Sequence, residues 1–360
     1  MAAGKPGIFV VGAGAGGLAA ALELACRGCA VTVLERASGP GGKMRALEVG
    51  GREVAAGPTV LTLRAFLDEL LATAGTRLEA ELPTRRAEIL ARHWWPDGSK
   101  LDLFADPARS EAAIAAFAGP AEARRFRAFR AEAARIWAIL EQPFLRAIEP
   151  SLPGLLGGVG LRGLAELPRI RPFESMWKVL GEHFHDHRLR QLFARYATYC
   201  GGSPFLAPAT LMLVVHAELE GVWLVEGGLA ALARTLARLA EARGATFRFD
   251  TEVAEILVEG GRARGVRLAS GERLPAEAVI VNADIAALAA GLFGPAAARA
   301  VDAGAPGGRS LSAVVWSVVG RAAGGPLLHH DVLFSADYPG EFAEILDRQR
   351  LPSDPTVYLC

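Results

Sequence analysis

Residues 8–45 constrain the fold more than any other stretch of this chain. The apolar run Ile8-Phe9-Val10-Val11 has the composition of a strand buried on both faces, and it leads straight into Gly12-Ala13-Gly14-Ala15-Gly16-Gly17. A Leu- and Ala-rich helical stretch follows, and a second apolar run, Ala30–Leu34, ends at Glu35. Strand, glycine turn, helix, strand and acid in that order make the first half of a dinucleotide-binding fold. Gly12 admits the tight turn, Gly14 lets backbone N–H groups approach a pyrophosphate, Gly16 continues the turn, and Gly17 lets the helix pack close to the strand. The pyrophosphate then rests on the helix N-terminus, at the positive end of its dipole. Glu35 is placed to accept hydrogen bonds from a ribose diol, which favours an unphosphorylated adenosine ribose.

Glu35 alone does not separate NAD from FAD. Ser38-Gly39-Pro40-Gly41-Gly42-Lys43-Met44-Arg45 forms a second glycine-rich turn just beyond it. Gly41 and Gly42 allow a second close approach of backbone to a cofactor, and Lys43 and Arg45 add positive charge. A simple NAD domain has no need of this turn, whereas FAD lies extended through its domain. FAD is therefore the predicted cofactor.

At 360 residues and 51% hydrophobic content the chain can bury a large core, and its size predicts two domains. The formal net charge of zero supplies no field that favours nucleic acid. No uninterrupted apolar run approaches the roughly 18 residues of a spanning helix. The uncharged segment 7–22 is explained by the nucleotide turn rather than by a signal peptide, so a cytoplasmic location is expected. Cys26-Arg27-Gly28-Cys29 falls where the first helix should end, with Gly28 as its C-cap, and reads as packing rather than as a redox pair. His183 and His187 could share a helix face, but no Cys or Glu cluster lies beside them in sequence, and no metal site is predicted.

Residues 88–104 read as a hairpin around Asp97-Gly98, and 106–218 read as mostly helical. An apolar stripe through Phe126, Phe129, Ala133, Trp137 and Leu140 marks a helix over 120–141, beside Arg124, Arg125, Arg127 and Arg130. Residues 143–173, rich in Leu, Gly and Pro, are aperiodic. Beyond 219, a helix opening at Gly227-Gly228 and a series of short strands ending at Val281-Asn282-Ala283-Asp284 form the second half of a nucleotide domain. A strand is expected at Leu311–Val319. The predicted fold class is α/β, with a Rossmann-like FAD-binding domain and a discontinuous, mostly helical plus β-sheet substrate domain. The expected division is 7–62 and 219–288 for FAD, and 63–218 and 289–360 for substrate.

The chain resembles the phytoene desaturase family of FAD-dependent carotenoid desaturases and isomerases, relatives of the amine oxidases. The resemblance is carried by both glycine turns, Ala56-Gly57-Pro58-Thr59-Val60-Leu61-Thr62, the segment Arg195-Tyr196-Ala197-Thr198-Tyr199-Cys200-Gly201-Gly202-Ser203-Pro204, Gly221-Val222-Trp223 with Glu226-Gly227-Gly228, and Val281-Asn282-Ala283-Asp284. Ile89–His93 with Trp95–Ser99, and the Arg195–Tyr199 segment, resemble most the bacterial hydroxyneurosporene desaturases in that family. The resemblance adds Arg36, Met44, Gly57, Pro58, Thr59, Val253 and Asn282 to the expected FAD contacts, Val253 through its backbone at the adenine.

The resemblance also implies a hydrophobic carotenoid substrate, which has to be collected from a membrane by peripheral association. The Arg-flanked helix over 120–141 reads either as an ordinary amphipathic helix packed on its domain or as a membrane-surface helix, and residues 143–173 are the other docking candidate. Desaturating a polyene removes a hydride, for which a flavin is the acceptor, and a proton. No residue stands out in the sequence as the base, so no catalytic residue is assigned. Ala55 departs from the family, whose members often carry an acid there. Nothing after Asp284 resembles the family's closing flavin-contacting segment, so the sequence is expected to be part of a longer protein. Phytoene-type desaturation, another amine-oxidase-like FAD enzyme, and a non-catalytic nucleotide-binding piece stand as alternatives.

Overall fold

A computed structural model describes residues 7–148, 167–301, 310–323 and 325–360. They form two units. The first is drawn from Met1–Arg85, Trp223–Gly308 and Val315–Gly320, and the second from Arg86–Val222, Arg309–Val314 and Arg321–Cys360.

The first unit is built on a four-stranded parallel sheet. β1 (Ile8–Val11) lies between β2 (Val31–Leu34) and the strand Ala278–Val281, with Thr246–Arg248 outside β2. Val11 faces Leu34 on one side and Val281 on the other. Alternation sends the strands' side chains to opposite faces, and both faces are covered. Val10 and Val33 pack with Leu18, Leu22, Leu232 and Leu236, from the helices α1 (Ala15–Cys26) and Gly228–Ala242. Val11 and Leu34 pack with Val253, Val266 and Leu268 of an antiparallel three-stranded sheet. Each such side chain contributes roughly 1.5–3 kcal/mol on burial. α1 forms because Ala and Leu lose little freedom in a helix, and it stops where Gly28 takes φ +79°. Cys26 and Cys29 pack against the same core.

The first unit runs past the expected boundary at residue 62. The helices Arg64–Thr73 and Leu78–Glu81 belong to it because Leu71, Leu78 and Leu82 are buried in its core. The helices Ile285–Ala289 and Pro295–Ala298 stay with it too, beyond the boundary expected at 288.

The second unit holds a four-stranded sheet of Val357–Leu359, Asp331–Leu333, Ile89–Trp94 and Lys100–Phe104, together with its helices. The Asp97-Gly98 hairpin forms as the sequence predicts, with the Asp97 carboxylate accepting from Ser99 N–H at 2.8 Å. The helix Pro120–Leu140 buries Phe126, Phe129, Ala133, Ile136 and Leu140, so Ile136 stands on the buried stripe where Trp137 was expected. Phe126 and Phe129 pack on Phe193, with ring centroids 5.6 and 4.8 Å apart. This apolar face is consumed by the unit's own core. Arg127 pairs with Glu111 and Arg125 with Glu122. The helix therefore has no free apolar face to offer a membrane.

The strand expected at Leu311–Val319 does not form among the described residues. Leu311 N–H donates to Gly201 O at 2.8 Å, and Val314, Val315, Trp316 and Val318 are exposed. β-Branched composition favours a strand only where a neighbouring strand supplies hydrogen bonds.

Candidate functional site

In the first unit the two glycine turns meet. Gly14 and Gly41 form a parallel bridge, and Gly41 N–H donates to Ala13 O at 2.8 Å. The contact is too close for side chains. A Cβ on Gly42, itself at φ +58°, would lie 3.1 Å from the Gly14 Cα. A Cβ on Gly57 would fall 1.8 Å from Lys43 O, which brings the Gly57-Pro58-Thr59 turn against the same place. At Gly17 a Cβ would come within 2.0 Å of Gly12 O, so only glycine lets α1 lie this near the end of β1.

Gly16 lies outside the minimal glycine pattern, and it packs against a side chain rather than against backbone. Asn282, at the end of the neighbouring strand, sets its amide under the turn, with Oδ1 2.8 Å from where a Gly16 Cβ would stand. Asn282 Nδ2 lies 3.1 and 3.0 Å from the corresponding points on Gly14 and Gly17. No side chain caps the N-terminus of α1, and its first turn carries no acid, while Ala15 and Gly16 are exposed. That open helix end suits a pyrophosphate.

Glu35 is buried beside this turn. One carboxylate oxygen accepts from Ala13 N–H at 2.6 Å and the other from Ala37 N–H at 2.8 Å. Each oxygen keeps a second lone pair, the capacity a ribose diol requires. The residues present therefore fit FAD at its adenosine and pyrophosphate end.

The remaining predicted residues sit differently. The side chains of Arg36, Lys43 and Pro58 are exposed, Thr59 is half-buried, and Met44 is buried in the unit's core. Val253 turns its side chain into the cluster beneath the sheet, which leaves only its backbone for a base. His183 lies 3.1 Å from Glu132, and among the described residues no group of His, Cys, Asp and Glu is arranged to hold a metal ion.

The second unit contains a buried charge cluster that sequence reasoning missed. Arg195 Nε donates to His93 Nε2 at 3.2 Å, Nη1 to Tyr199 Oη at 2.9 Å, and Nη2 to Tyr196 Oη at 3.1 Å and Glu218 Oε1 at 3.0 Å. Tyr196 also donates to Glu218. Burial works against the Arg195 charge, but Tyr196, Tyr199 and Glu218 outweigh it and hold its pKa well above the ordinary value. Burial, and then the Arg195 charge, push His93 well below its ordinary value. His93 is thus neutral, and the geometry assigns the tautomer: Nε2 accepts from Arg195, and Nδ1–H donates to Leu101 O at 3.2 Å. The sequence singled out Ile89–His93 and Arg195–Tyr199 separately, but nothing in it joined them or pointed to Glu218, since Glu218 and His93 stand 23 and 102 residues from Arg195.

A pH dependence follows. Unfolded His93 gains a proton near its ordinary pKa of about 6.5, and folded His93 does not. The stability it contributes is present above that pH and lost as pH falls below it, by at most about 1.4 kcal/mol per pH unit. Urea midpoints measured between pH 7.5 and 5.5 should fall less steeply for His93→Gln than for wild type. Parallel lines would show that His93 is not held neutral.

The class follows from this fold and this turn. A family profile described as flavin containing amine oxidoreductase matches residues 15–317, and the chain belongs to that family, with FAD as its cofactor. Among its relatives within that family are carotenoid desaturases. The chain is 49% identical to hydroxyneurosporene desaturase of Rubrivivax gelatinosus, over 98% of this chain and 67% of that protein. It is 47% identical to the enzyme of the same name from Cereibacter sphaeroides, over 99% and 71%. Against the zeta-carotene-forming phytoene desaturase of Myxococcus xanthus it is 34% identical, over 98% and 67%. Among solved structures, putrescine oxidase bound to putrescine aligns with a TM-score of 0.53 at 19% identity, over 79% of this chain and 59% of that one. An oxidoreductase from Methanosarcina mazei aligns with a TM-score of 0.53 at 20% identity, over 78% and 60%. These two share the fold, and the chain spans about 60% of their length.

Proposed function

We propose that this chain works as an FAD-dependent desaturase on an acyclic hydroxycarotenoid of the hydroxyneurosporene type. The observation that carries the reading is the clasp of Gly14 on Gly41 beside buried Glu35, in a chain 42–49% identical to hydroxyneurosporene desaturases. FAD supplies a two-electron acceptor for the carbon–carbon bond that loses hydrogen. Glu35 takes the adenosine ribose, and the open end of α1 with Gly12, Gly14, Gly16 and Gly17 takes the pyrophosphate. Gly41, Gly42, Gly57, Pro58 and Thr59 form the second approach, flanked by Arg36, Lys43 and Met44. Asn282 holds the turn from below, and Val253 offers its backbone to the adenine.

A water-insoluble hydrocarbon has to be drawn from a bilayer, and peripheral contact with the cytoplasmic face of a membrane is part of the proposal. No helix among the described residues is long and apolar enough to cross a membrane. With the face of Pro120–Leu140 consumed, residues 143–173 are the better docking candidate. Phe144, Ile148 and Phe173 at its two ends are exposed, and 149–166 lie outside the described residues.

The test is co-expression of the gene with the enzymes that make 1-hydroxyneurosporene, followed by chromatography of the pigments. The expected product carries one further conjugated double bond and absorbs at longer wavelength. Accumulation of unchanged hydroxyneurosporene, with conversion of phytoene instead, would favour the phytoene-type alternative.

A further inference from the structure

Tyr199 is inverted for a surface tyrosine. Such a residue ordinarily buries its ring and turns its hydroxyl to water. Here the hydroxyl points inward, 2.9 Å from Arg195 Nη1 within the buried cluster, while 48% of the residue's surface is exposed. Burial raises the pKa of this phenol, as an inward hydroxyl should. The ring is fixed from two sides. It meets the buried Tyr196 edge to face at 5.4 Å, and the Arg195 guanidinium lies 5.5 Å from its centroid.

The chain turns away immediately afterwards. Gly201 takes φ +70°, where a Cβ would strike that of Ser310 at 2.5 Å. Leu311 N–H donates to Gly201 O at 2.8 Å. Exposed large apolar side chains follow on both segments, Leu206 on one and Val314 on the other, with Ser310 and Ser312 exposed beside Val314. Exposing the ring while sinking the hydroxyl forgoes a favourable arrangement, and a buried Arg–Glu pair is weak evidence for stability. The arrangement gains a purpose if the ring face meets a ligand that has nothing to offer a hydroxyl.

A conjugated polyene is such a ligand: long, flat and without hydrogen-bonding groups along its length. Resting on the desaturase reading above, we infer that the Tyr199 ring contacts the polyene of the substrate, and that Arg195 is the positioning residue holding the ring hydroxyl-inward. The negative face of the ring also suits a chain that gains positive character as hydride leaves.

Steady-state kinetics of the flavin-loaded protein, with 1-hydroxyneurosporene in phosphatidylcholine liposomes, test this. Tyr199→Leu keeps apolar bulk and removes the π face, and its KM should rise about threefold to tenfold, the range of one aromatic contact. Tyr199→Phe keeps the ring and loses its tether, and should fall between Leu and wild type. Arg195→Lys, which keeps a charge beside Glu218 without the fork, should match Phe in KM with kcat little changed. Flavin content should stay at the wild-type level in all three.

Wild-type KM in Tyr199→Leu with full flavin content would overturn the inference. So would equal loss in Leu and Phe that follows only a lowered urea midpoint. If wild-type protein leaves the carotenoid unconverted, the desaturase reading fails first. The shift of the polyene's visible bands on binding then decides about Tyr199, and equal Kd values for wild type and Tyr199→Leu would refute its role.

Discussion

Gly17→Ala yields purified protein with little or no bound flavin. The added methyl would stand 2.0 Å from Gly12 O, so α1 must move off the end of β1. Overpacking of this kind costs about 1–3 kcal/mol in stability. The functional cost is larger, because that movement withdraws the helix N-terminus from the place proposed for the pyrophosphate. Gly39→Ala is the matched control in the same region, since a Cβ at Gly39 meets nothing within 4 Å. The ratio of flavin absorbance near 450 nm to protein absorbance is the measurement. Equal ratios in wild type, Gly17→Ala and Gly39→Ala would mean that the glycine clasp is not where FAD is held.

Glu218→Leu should be the most destabilising substitution in the second unit, by about 3–5 kcal/mol, because it leaves the Arg195 guanidinium buried without its counter-ion. Arg195 and Glu218 are almost fully buried at a contact of 3.0 Å, so bulk solvent does not compensate either charge when its partner is removed. Arg195→Met alone strands the Glu218 carboxylate in the same way. The double variant Arg195→Met/Glu218→Leu should recover part of the loss, because replacing both charges by apolar groups removes the uncompensated ion. Urea unfolding of the four proteins at pH 7.5 reads the coupling. Strict additivity would show that the two residues do not act as a pair.

How far each element could be read ahead depended on how local its determinants are. β1, the glycine turn, α1, β2 and Glu35 lie within some thirty residues, and each is set by neighbours in sequence: apolar runs, a glycine where no Cβ fits, an acid at the strand end. The Asp97-Gly98 hairpin is local in the same sense. The boundary at residue 62 was misplaced because Leu71 and Leu78 are apolar helix residues in any setting, and only the core they enter decides their unit. Leu311–Val319 has strand composition, but composition supplies no partner strand.

By itself, the sequence determined that this chain builds a nucleotide fold with two glycine turns, and that the cofactor is FAD rather than NAD. That information is backbone chemistry written in consecutive residues. Only the tertiary structure decided that the two turns close on each other, that Asn282 lies beneath Gly16, and that the apolar stripe of Pro120–Leu140 faces a core instead of a lipid surface. It alone gathered His93, Arg195, Tyr196, Tyr199 and Glu218 into one cluster. Contacts between residues 23 or 102 positions apart leave no periodicity and no spacing to read, because they arise from how helices and strands pack after each has formed.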